Sequence, residues 1–285
     1  MNELTLIQLT DTHIRASGEQ VLDTVDTYAA LDRALQQLLS SGRHIDALLL
    51  TGDLTDNGSI EGYRRLREAV EPVAEKLGAE LVYVMGNHDE RTAFGVELLG
   101  REPGSVDPAA PHDRVTEVSG LRIIALDSTI PGLADGRLEP EQLAWLAEEL
   151  RTPAPRGTLL VLHHPPLPSA IAAAQVLKLQ HAEQLAAVVA GTDVRMILCG
   201  HNHMTAASAL AGIPVWVGPA LAYRLDAMSP VGRQRSITGS GYSRIDVLPS
   251  AVIATAVETT PATEIYNNDE AAVLERLATV VAHSG

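Results

Sequence analysis

The sequence predicts an α/β fold. Seven short apolar runs alternate with stretches of helical periodicity, and clusters of Asp, His and Asn follow directly after five of these runs. Each run is rich in Leu, Val or Ile, as expected for a strand that is covered on both faces of a sheet. The predicted strands cover residues 4–9, 47–50, 81–85, 121–126, 159–162, 194–198 and 213–217.

Helical patterns occupy the segments between these strands. Residues 28–39 place four leucines on one face, and residues 60–77 follow Ser59 and end before Gly78. A serine hydroxyl can cap the first turn of a helix, and glycine accepts the left-handed conformation that often ends one. Residues 138–150 and 182–189 predict two further helices. Strands that alternate with helices indicate a layered α/β domain.

The last part of the chain predicts a different pattern. Residues 243–257 predict two strands around Pro249, in an antiparallel hairpin, and residues 100–111 hold three prolines and predict a surface loop. Asn267 and Glu270 resemble a capping box before an apolar helix face over 271–281. We therefore expect one domain over 1–258 and a C-terminal helical appendage over 259–285, which either serves a dimer contact, covers the site or packs on its own domain.

Composition limits the classes of partner. The chain has 285 residues, 46% of them hydrophobic and 20% charged, which is typical of a globular protein. A net charge of −15 provides no field that attracts long nucleic acids or an anionic membrane. Cys199 is the one cysteine, so a zinc cluster of thiolates is excluded. No segment approaches the roughly 18 apolar residues of a membrane span, and the sequence predicts a soluble, cytoplasmic protein.

Six of the ten histidines follow predicted strands, together with Asp, Asn and Gly. Ligands of open α/β sheets bind beyond the carboxyl ends of strands, so these groups should converge. Carboxylate, imidazole and amide groups without thiolate suit Mn, Fe or Zn, in numbers sufficient for two ions. Each group alone is also a common turn, but five in order are improbable by chance. The groups are Asp11-Thr-His13, Gly52-Asp-Leu-Thr-Asp56, Gly86-Asn-His-Asp89, His163-His164 and Gly200-His-Asn-His203.

This order of motifs resembles the calcineurin-like metallophosphoesterase superfamily, from residue 4 to at least His203. The resemblance implies a four-layer αββα sandwich, two mixed sheets flanked by helices. Two motifs, Gly52-Asp-Leu-Thr-Asp-Asn-Gly58 and His163-His-Pro-Pro166, look like the class III cyclic nucleotide phosphodiesterases, a branch that includes glycerophosphodiesterases. Asn57 and Asp89 stand where protein Ser/Thr phosphatases carry Arg and Glu, which disfavours that branch.

The resemblance implies a role for each motif residue. His88 would lie near the leaving group and not bind metal, and Asp56 would orient it by a hydrogen bond. His164 and Arg15 are further candidates for substrate contact, with packing and an exposed loop as their respective alternatives. The first metal would be held by Asp11, His13, Asp53 and His203. The second would be held by Asp53, Asn87, His163 and His201, so that Asp53 bridges the two ions.

The implied activity is hydrolysis of small phosphodiesters, above all 3′,5′-cyclic nucleotides such as cyclic AMP, to the 5′-monophosphate. A metal-bridging hydroxide would attack phosphorus while His88 assists the leaving group. The alternatives are a glycerophosphodiesterase or a broad-specificity phosphomonoesterase and phosphodiesterase, and a non-catalytic metal-binding scaffold. The family also suggests a homodimer. The acidic composition argues against long nucleic acids, whereas two divalent ions would meet the charge of a small diester.

Overall fold

The computed structural model describes residues 3–169 and 171–282, and of residues 278–282 it describes the backbone alone. The strands are β1 (Leu4–Leu9), β2 (Ala47–Thr51), β3 (Glu80–Val84), β4 (Arg114–Val118), β5 (Leu121–Leu126), β6 (Thr158–Leu162), β7 (Val194–Cys199), β8 (Ala206–Leu210), β9 (Ile213–Val217), β10 (Arg224–Leu225), β11 (Ser236–Ile237), β12 (Gly241–Val247) and β13 (Val252–Glu258). The helices are α1 (Thr27–Ser40), α2 (Ile60–Leu77), α3 (Arg91–Glu97), α4 (Pro140–Glu149), α5 (Ala172–Leu177), α6 (Ala182–Val189) and α7 (Glu270–Ala282).

Two mixed sheets form the centre of the molecule. The first has the strand order β13-β12-β1-β2-β3, in which β1, β2 and β3 are parallel. The second has the order β4-β5-β6-β7-β9-β8, in which the four strands from β5 to β9 are parallel. The carboxyl ends of β1, β2 and β3 therefore lie at one edge of the first sheet, and those of β6 and β7 at one edge of the second.

Side-chain alternation along the strands builds four layers. Leu49 of β2 and Ile123 of β5 belong to one buried cluster shared by the two sheets. Leu48 belongs to a second cluster with α1 and α2, and Ile124 to a third with α4 and α6. Because successive side chains of a strand point to opposite faces, each strand contributes to two of these clusters. The expected αββα sandwich of two mixed sheets with flanking helices is confirmed.

All seven predicted strands and four predicted helices are present, with ends shifted by up to two residues. The Ser59 hydroxyl accepts the Gly62 N–H at 3.2 Å, and Gly78 is left-handed, so both ends of α2 form as predicted. The predicted hairpin is formed by β12 and β13. Within the described residues, no helix is long and apolar enough to cross a membrane.

The last helix is capped by Asp269 and not by Asn267, so the predicted capping residue is wrong. The helix begins at Glu270, and the Asp269 carboxylate accepts the Ala272 N–H at 3.0 Å. The Asn267 amide instead donates to Glu264 at 3.2 Å. A carboxylate directly before the first helical residue reaches the free N–H groups of the first turn, whereas Asn267 stands two residues too early. The appendage is described to residue 282, and its last three residues lie outside the described part.

Candidate metal centre

The two sheets bring the five motifs to one place. Asp11 and His13 follow β1, Asp53 follows β2, and Asn87 follows β3, while His163 and the His201/His203 pair follow β6 and β7. Two sets of side chains could each hold a metal ion, because the ligand atoms within each set lie within 4.8 Å of one another. Asp53 belongs to both sets. The first set is Asp11, His13, Asp53 and His203, and the second is Asp53, His163 and His201. These sets match the two groups that the sequence predicts, Asn87 being the remaining member of the second.

Five of the proposed ligands have a left-handed backbone, with φ from 45° to 72°. They are Asp11, His13, Asp53, His201 and His203. This conformation costs about 1 to 2 kcal/mol for a residue with a Cβ, and such strain concentrates at functional sites. Main-chain hydrogen bonds between the motifs hold the strained turns. The His13 N–H donates to the Asp53 carbonyl at 2.9 Å, and the Asp11 N–H donates to the Gly52 carbonyl at 3.0 Å.

Two motif glycines allow the loops to approach this closely. A Cβ on Gly86 would lie 2.1 Å from the Asp53 main-chain nitrogen. A Cβ on Gly200 would lie 1.9 Å from the Thr10 hydroxyl oxygen. Both distances are far shorter than any contact between non-bonded heavy atoms. The glycines are therefore required by the packing of one ligand loop against another.

The two buried carboxylates also join the motifs. Asp11 accepts the His201 N–H at 2.9 Å, and Asp53 Oδ1 accepts the His88 N–H at 2.9 Å. The second oxygen of Asp53 lies 3.3 Å from His163 Nε2 and 3.5 Å from His13 Nε2. Each carboxylate thus fixes a neighbouring motif with one contact. The Oδ2 atom of Asp53 remains directed at imidazoles from both halves of the site.

Hydrogen bonds orient three imidazoles toward the centre. The Nδ1 atoms of His163 and His203 donate to the carbonyls of Thr51 and Tyr223, at 3.0 and 2.9 Å. Because a carbonyl oxygen only accepts, each Nδ1 carries a proton, and each ring in its neutral form presents the lone pair of Nε2 to the centre. His13 Nδ1 is held in the same way, 3.0 Å from the Asp56 carboxylate. Metal-ligating histidines are commonly anchored by such contacts.

This donor set fits bound cations. The Nε2 atoms of His13 and His203 face one another at 3.1 Å, which two lone pairs tolerate only with a proton or a cation between them. His163 Nε2 and Asn87 Oδ1 are buried and have no hydrogen-bond partner among the described residues. An unsatisfied buried nitrogen that faces the Asp53 carboxylate, as His163 Nε2 does, indicates missing positive charge. The oxygen and nitrogen donors suit Mn, Fe or Zn without selecting one of them.

The electrostatics without metal lead to the same conclusion. Burial opposes the charged form of His163, but the Asp53 and Asp11 carboxylates outweigh burial and raise its pKa to about 9. Burial and the neighbouring His163 lower the pKa of His201 to about 4. The imidazoles His163 and His13 outweigh burial in turn and hold the pKa of Asp53 well below its usual value. A proton on His163 therefore takes the place of the cation beside Asp53.

The predicted role of Asp56 needs correction. His88 Nδ1 lies 2.8 Å from the main-chain carbonyl of Asp56, so the backbone and not the carboxylate orients this ring. The Asp56 carboxylate instead contacts His13 and, through its other oxygen, Arg15 Nε at 3.0 Å. The turn after β2 directs the side chain of residue 56 toward the β1 loop, while its carbonyl faces the β3 loop. The His88 ring itself is exposed at the mouth of the site.

The two tentative substrate contacts lie beside the centre. Arg15 forms an ion pair with Asp56, and its Nη1 donates a hydrogen bond to the Gln20 carbonyl at 3.2 Å. His164 is buried, with Nδ1 2.8 Å from the Ser128 hydroxyl and its ring 4.6 Å from the His201 ring. Both side chains are held by protein groups. Their contact with substrate stays a prediction.

Sequence reasoning missed two supports of the site. The Asp89 carboxylate accepts hydrogen bonds from the Leu54 N–H at 3.1 Å and the Tyr63 hydroxyl at 2.9 Å, and so ties the β2 loop to the β3 loop and α2. The Tyr223 ring lies 4.3 Å from the His203 ring and its carbonyl accepts from His203. Asp89 belongs to a visible motif, which was the available signal. Tyr223 lies in a long loop without a motif.

The sequence model of the calcineurin-like phosphoesterase family matches residues 4–205 of the chain. The chain belongs to this family. The matched segment of this phosphoesterase carries every proposed metal ligand, and β8, β9, β12 and β13 complete its two sheets beyond the match.

Three relatives of this phosphoesterase are informative. It is 43% identical over 256 residues to the cAMP/cGMP dual specificity phosphodiesterase MT0825 of Mycobacterium tuberculosis, which covers 90% of this chain and 79% of the relative. It is 41% identical over 253 residues to a probable cyclic nucleotide phosphodiesterase of Rhodococcus erythropolis, covering 88% and 82%. A dimetal phosphatase of Danio rerio shares the fold, with a TM-score of 0.57 and 14% identity, over 88% of this chain and 98% of that one.

Proposed function

We propose that this phosphoesterase hydrolyses 3′,5′-cyclic nucleotides, cyclic AMP among them, to the 5′-monophosphates. The observation that carries the proposal is the pair of Asp/His clusters that share Asp53. A shared carboxylate between two sets of neutral imidazoles is the arrangement that suits two cations acting on one phosphoryl group. The choice of cyclic nucleotides is supported by the 43% identity to a cAMP/cGMP phosphodiesterase over nine-tenths of the chain.

The described side chains divide into two proposed metal sites. Asp11, His13 and His203 would hold one ion, Asn87, His163 and His201 would hold the other, and Asp53 would bridge them. Two such ions would neutralise the phosphoryl oxygens and lower the pKa of bound water. Asn87 is neutral, so the site keeps more positive charge toward an anionic substrate than a third carboxylate at this position would leave. The identity of the two metal ions remains a prediction. The homodimer, the cytoplasmic location and the domain boundary at residue 258 are also predictions.

His88 is positioned for proton transfer to the leaving group. Its main-chain N–H is held by Asp53, its Nδ1–H donates to the Asp56 carbonyl, and its ring lies 4.7 Å from the His13 ring in an edge-on contact. Because Nδ1 keeps its proton, the neutral ring offers only a lone pair at Nε2, and the acid is the imidazolium. As the P–O3′ bond breaks, the Nε2 proton passes to the ribose O3′, and water supplies the hydroxyl group that phosphorus gains.

A substrate panel tests the proposal. Purified protein with measured metal content is assayed with cyclic AMP, cyclic GMP, glycerophosphocholine, bis(p-nitrophenyl) phosphate and p-nitrophenyl phosphate, and Asp53→Ala is the inactive control. We expect the cyclic nucleotides to have the highest kcat/KM among the natural esters. Preference for glycerophosphocholine would make the protein a glycerophosphodiesterase, and faster turnover of the monoester would indicate a broad phosphatase. A fully metallated protein without any turnover would contradict an enzymatic function.

A further inference from the structure

A cavity of about 680 Å³ lies beside the metal centre, and none of the proposed metal ligands lines it. Its walls are the loop before α1, the first turns of α1, the segment from Ala222 to β11, and the end of β13. Pockets that bind small organic ligands commonly have volumes of about 300 to 1,000 Å³. The cavity is thus large enough for a nucleobase together with part of its sugar.

One wall of this cavity is directly attached to the metal centre. Tyr223 lines the cavity and contacts the His203 ring at a tilt of 41°, with 4.3 Å between the ring centroids. The neighbouring residue Ala222 also lines the cavity, and its N–H donates to the Asp11 carbonyl at 3.0 Å. A single layer of residues therefore separates the cavity from two proposed ligands of the first metal. Tyr223 is partly exposed, so a molecule that binds metal through its phosphate would extend over this ring into the cavity.

The lining has the mixed chemistry that a planar heterocycle requires. Leu22 and Ile237 line the cavity and are 65% and 39% exposed, so both present apolar surface to a ligand bound there. Exposed apolar groups on facing loops can cover both faces of an aromatic ring. Hydroxyl and main-chain groups of the loop around Thr238 supply hydrogen-bonding edges between them.

Arg224 adds a planar cation to the same wall. Its Nη1 donates to Glu258 at 2.8 Å, while its Nε is buried and has no hydrogen-bond partner among the described residues. The guanidinium passes Gly239 so closely that a Cβ there would lie 2.4 Å from Nε. Arginine stacks on aromatic rings and donates to ring nitrogens and carbonyls, and Glu258 beside it can accept from an exocyclic amine.

We propose that this cavity binds the nucleobase of the cyclic nucleotide whose phosphate lies at the metal centre. The inference rests on the proposed function, because it assigns a place to the part of the substrate that the metals do not contact. A cyclic nucleotide carries its base on a rigid fused ring, so the base must lie to one side of the phosphate. The Tyr223 side offers a cleft with apolar faces and polar edges.

Two cavity-filling variants on different walls test the inference. Ala29→Trp fills the cavity from α1, and Thr238→Trp fills it from the β11 loop. Gln36→Trp is the matched control, because Gln36 is exposed two turns further along α1 and does not line the cavity. The readout is the ratio of kcat/KM for cyclic AMP to kcat/KM for bis(p-nitrophenyl) phosphate, which has no nucleobase. Metal content is measured on every sample.

We expect both filled variants to lower this ratio by about ten-fold or more and the control to keep the wild-type ratio. Binding of adenosine, which lacks phosphate, is measured by calorimetry on the same proteins and should weaken by about ten-fold or more in the filled variants. If the wild type hydrolyses the aryl diester but no cyclic nucleotide, the proposed function fails, and adenosine binding alone decides about the cavity. Wild-type protein that does not bind adenosine, or filled variants that match Gln36→Trp in both measurements, would overturn the inference.

Discussion

The Asp56 carboxylate lies 3.0 Å from Nδ1 of His13 and holds this imidazole with its Nε2 toward the proposed first metal. The other carboxylate oxygen contacts Arg15, so Asp56 is itself fixed between two partners. A carboxylate behind a histidine fixes the ring orientation and makes Nε2 a stronger donor to a metal. The family resemblance implies that the Asp56 carboxylate orients His88. In the structure this carboxylate instead contacts His13, a proposed metal ligand.

The variant Asp56→Ala should weaken metal binding. Loss of a carboxylate behind a ligating histidine commonly lowers metal affinity by about 10- to 100-fold, and we expect an effect of this size in a metal titration. Asn57→Ala, at the exposed neighbouring position, is the control. If Asp56→Ala kept its metal affinity but changed the dependence of rate on the leaving group, the carboxylate would act through His88 after all.

The variant His88→Ala should discriminate between leaving groups. Cyclic AMP expels a ribose alkoxide that needs a proton, whereas bis(p-nitrophenyl) phosphate expels a stable phenolate. A positioned general acid contributes about 10²- to 10⁴-fold, so kcat for cyclic AMP should fall by roughly this factor and kcat for the aryl diester much less. Equal losses for the two substrates would limit His88 to stabilising charge. Metal content should remain at the wild-type level, since His88 donates no ligand in the proposed site.

The variant Asp53→Ala should lose both metals and nearly all activity. Asp53 belongs to both Asp/His clusters, so its removal takes a ligand from each. Metal analysis after gel filtration and turnover of the aryl diester measure the two effects, and Asp32→Ala on the exposed side of α1 serves as the control. An Asp53→Ala protein with full metal content and wild-type turnover would exclude Asp53 as the bridging ligand.

Much of the fold could be predicted because buried parallel strands give continuous apolar runs. The same logic explains the strands and helices that were missed. In β4 four of the five residues are polar or exposed, and β8 is an exposed edge strand rich in alanine, so neither forms an apolar run. The helices α3 and α5 have seven and six residues, too few to establish a period. Their positions are decided by tertiary packing.

The site could be predicted as far as its ligands are tied to strand ends. The predicted proximity of Asp11 and Asp53 follows from two adjacent parallel strands, β1 and β2, whose carboxyl ends share an edge of the first sheet. His203 joins them because it follows β7 of the second sheet, which packs on the first. The partner of Asp56 depended on the rotation of one peptide in a turn, for which the sequence holds no local signal. Tyr223 reaches His203 only because the loop after β9 folds back over β1, where the Leu221 N–H donates to the Thr10 carbonyl.

The hydrogen bond between Tyr63 and Asp89 should support both stability and turnover. In Tyr63→Phe the Asp89 carboxylate loses a donor and the Glu90 N–H loses the acceptor that it contacts at 2.9 Å. Leaving buried polar groups unpaired costs about 1 to 3 kcal/mol, measurable by urea unfolding. Turnover should fall as well, because Asp89 holds the loop that carries Asp53. Tyr266→Phe, at a 78% exposed tyrosine, should change neither quantity. Equal stability of the two variants would contradict this account.

The carboxyl group of Asp113 should make stability depend on pH in mildly acid solution. Burial raises its pKa from 3.8 to about 6, although the Asp127 N–H and the Gln142 amide donate to it. The native protein therefore binds more protons than the unfolded chain between these two values, and the free energy of unfolding falls as the pH rises through that window. Relative to Asp113→Asn, the wild type should lose about 1.5 kcal/mol between pH 5 and pH 7.5 in urea unfolding. Asp107→Asn, at an exposed carboxylate, should follow the wild-type profile. An Asp113→Asn profile that runs parallel to that of the wild type would show that this carboxyl is already ionised at pH 5.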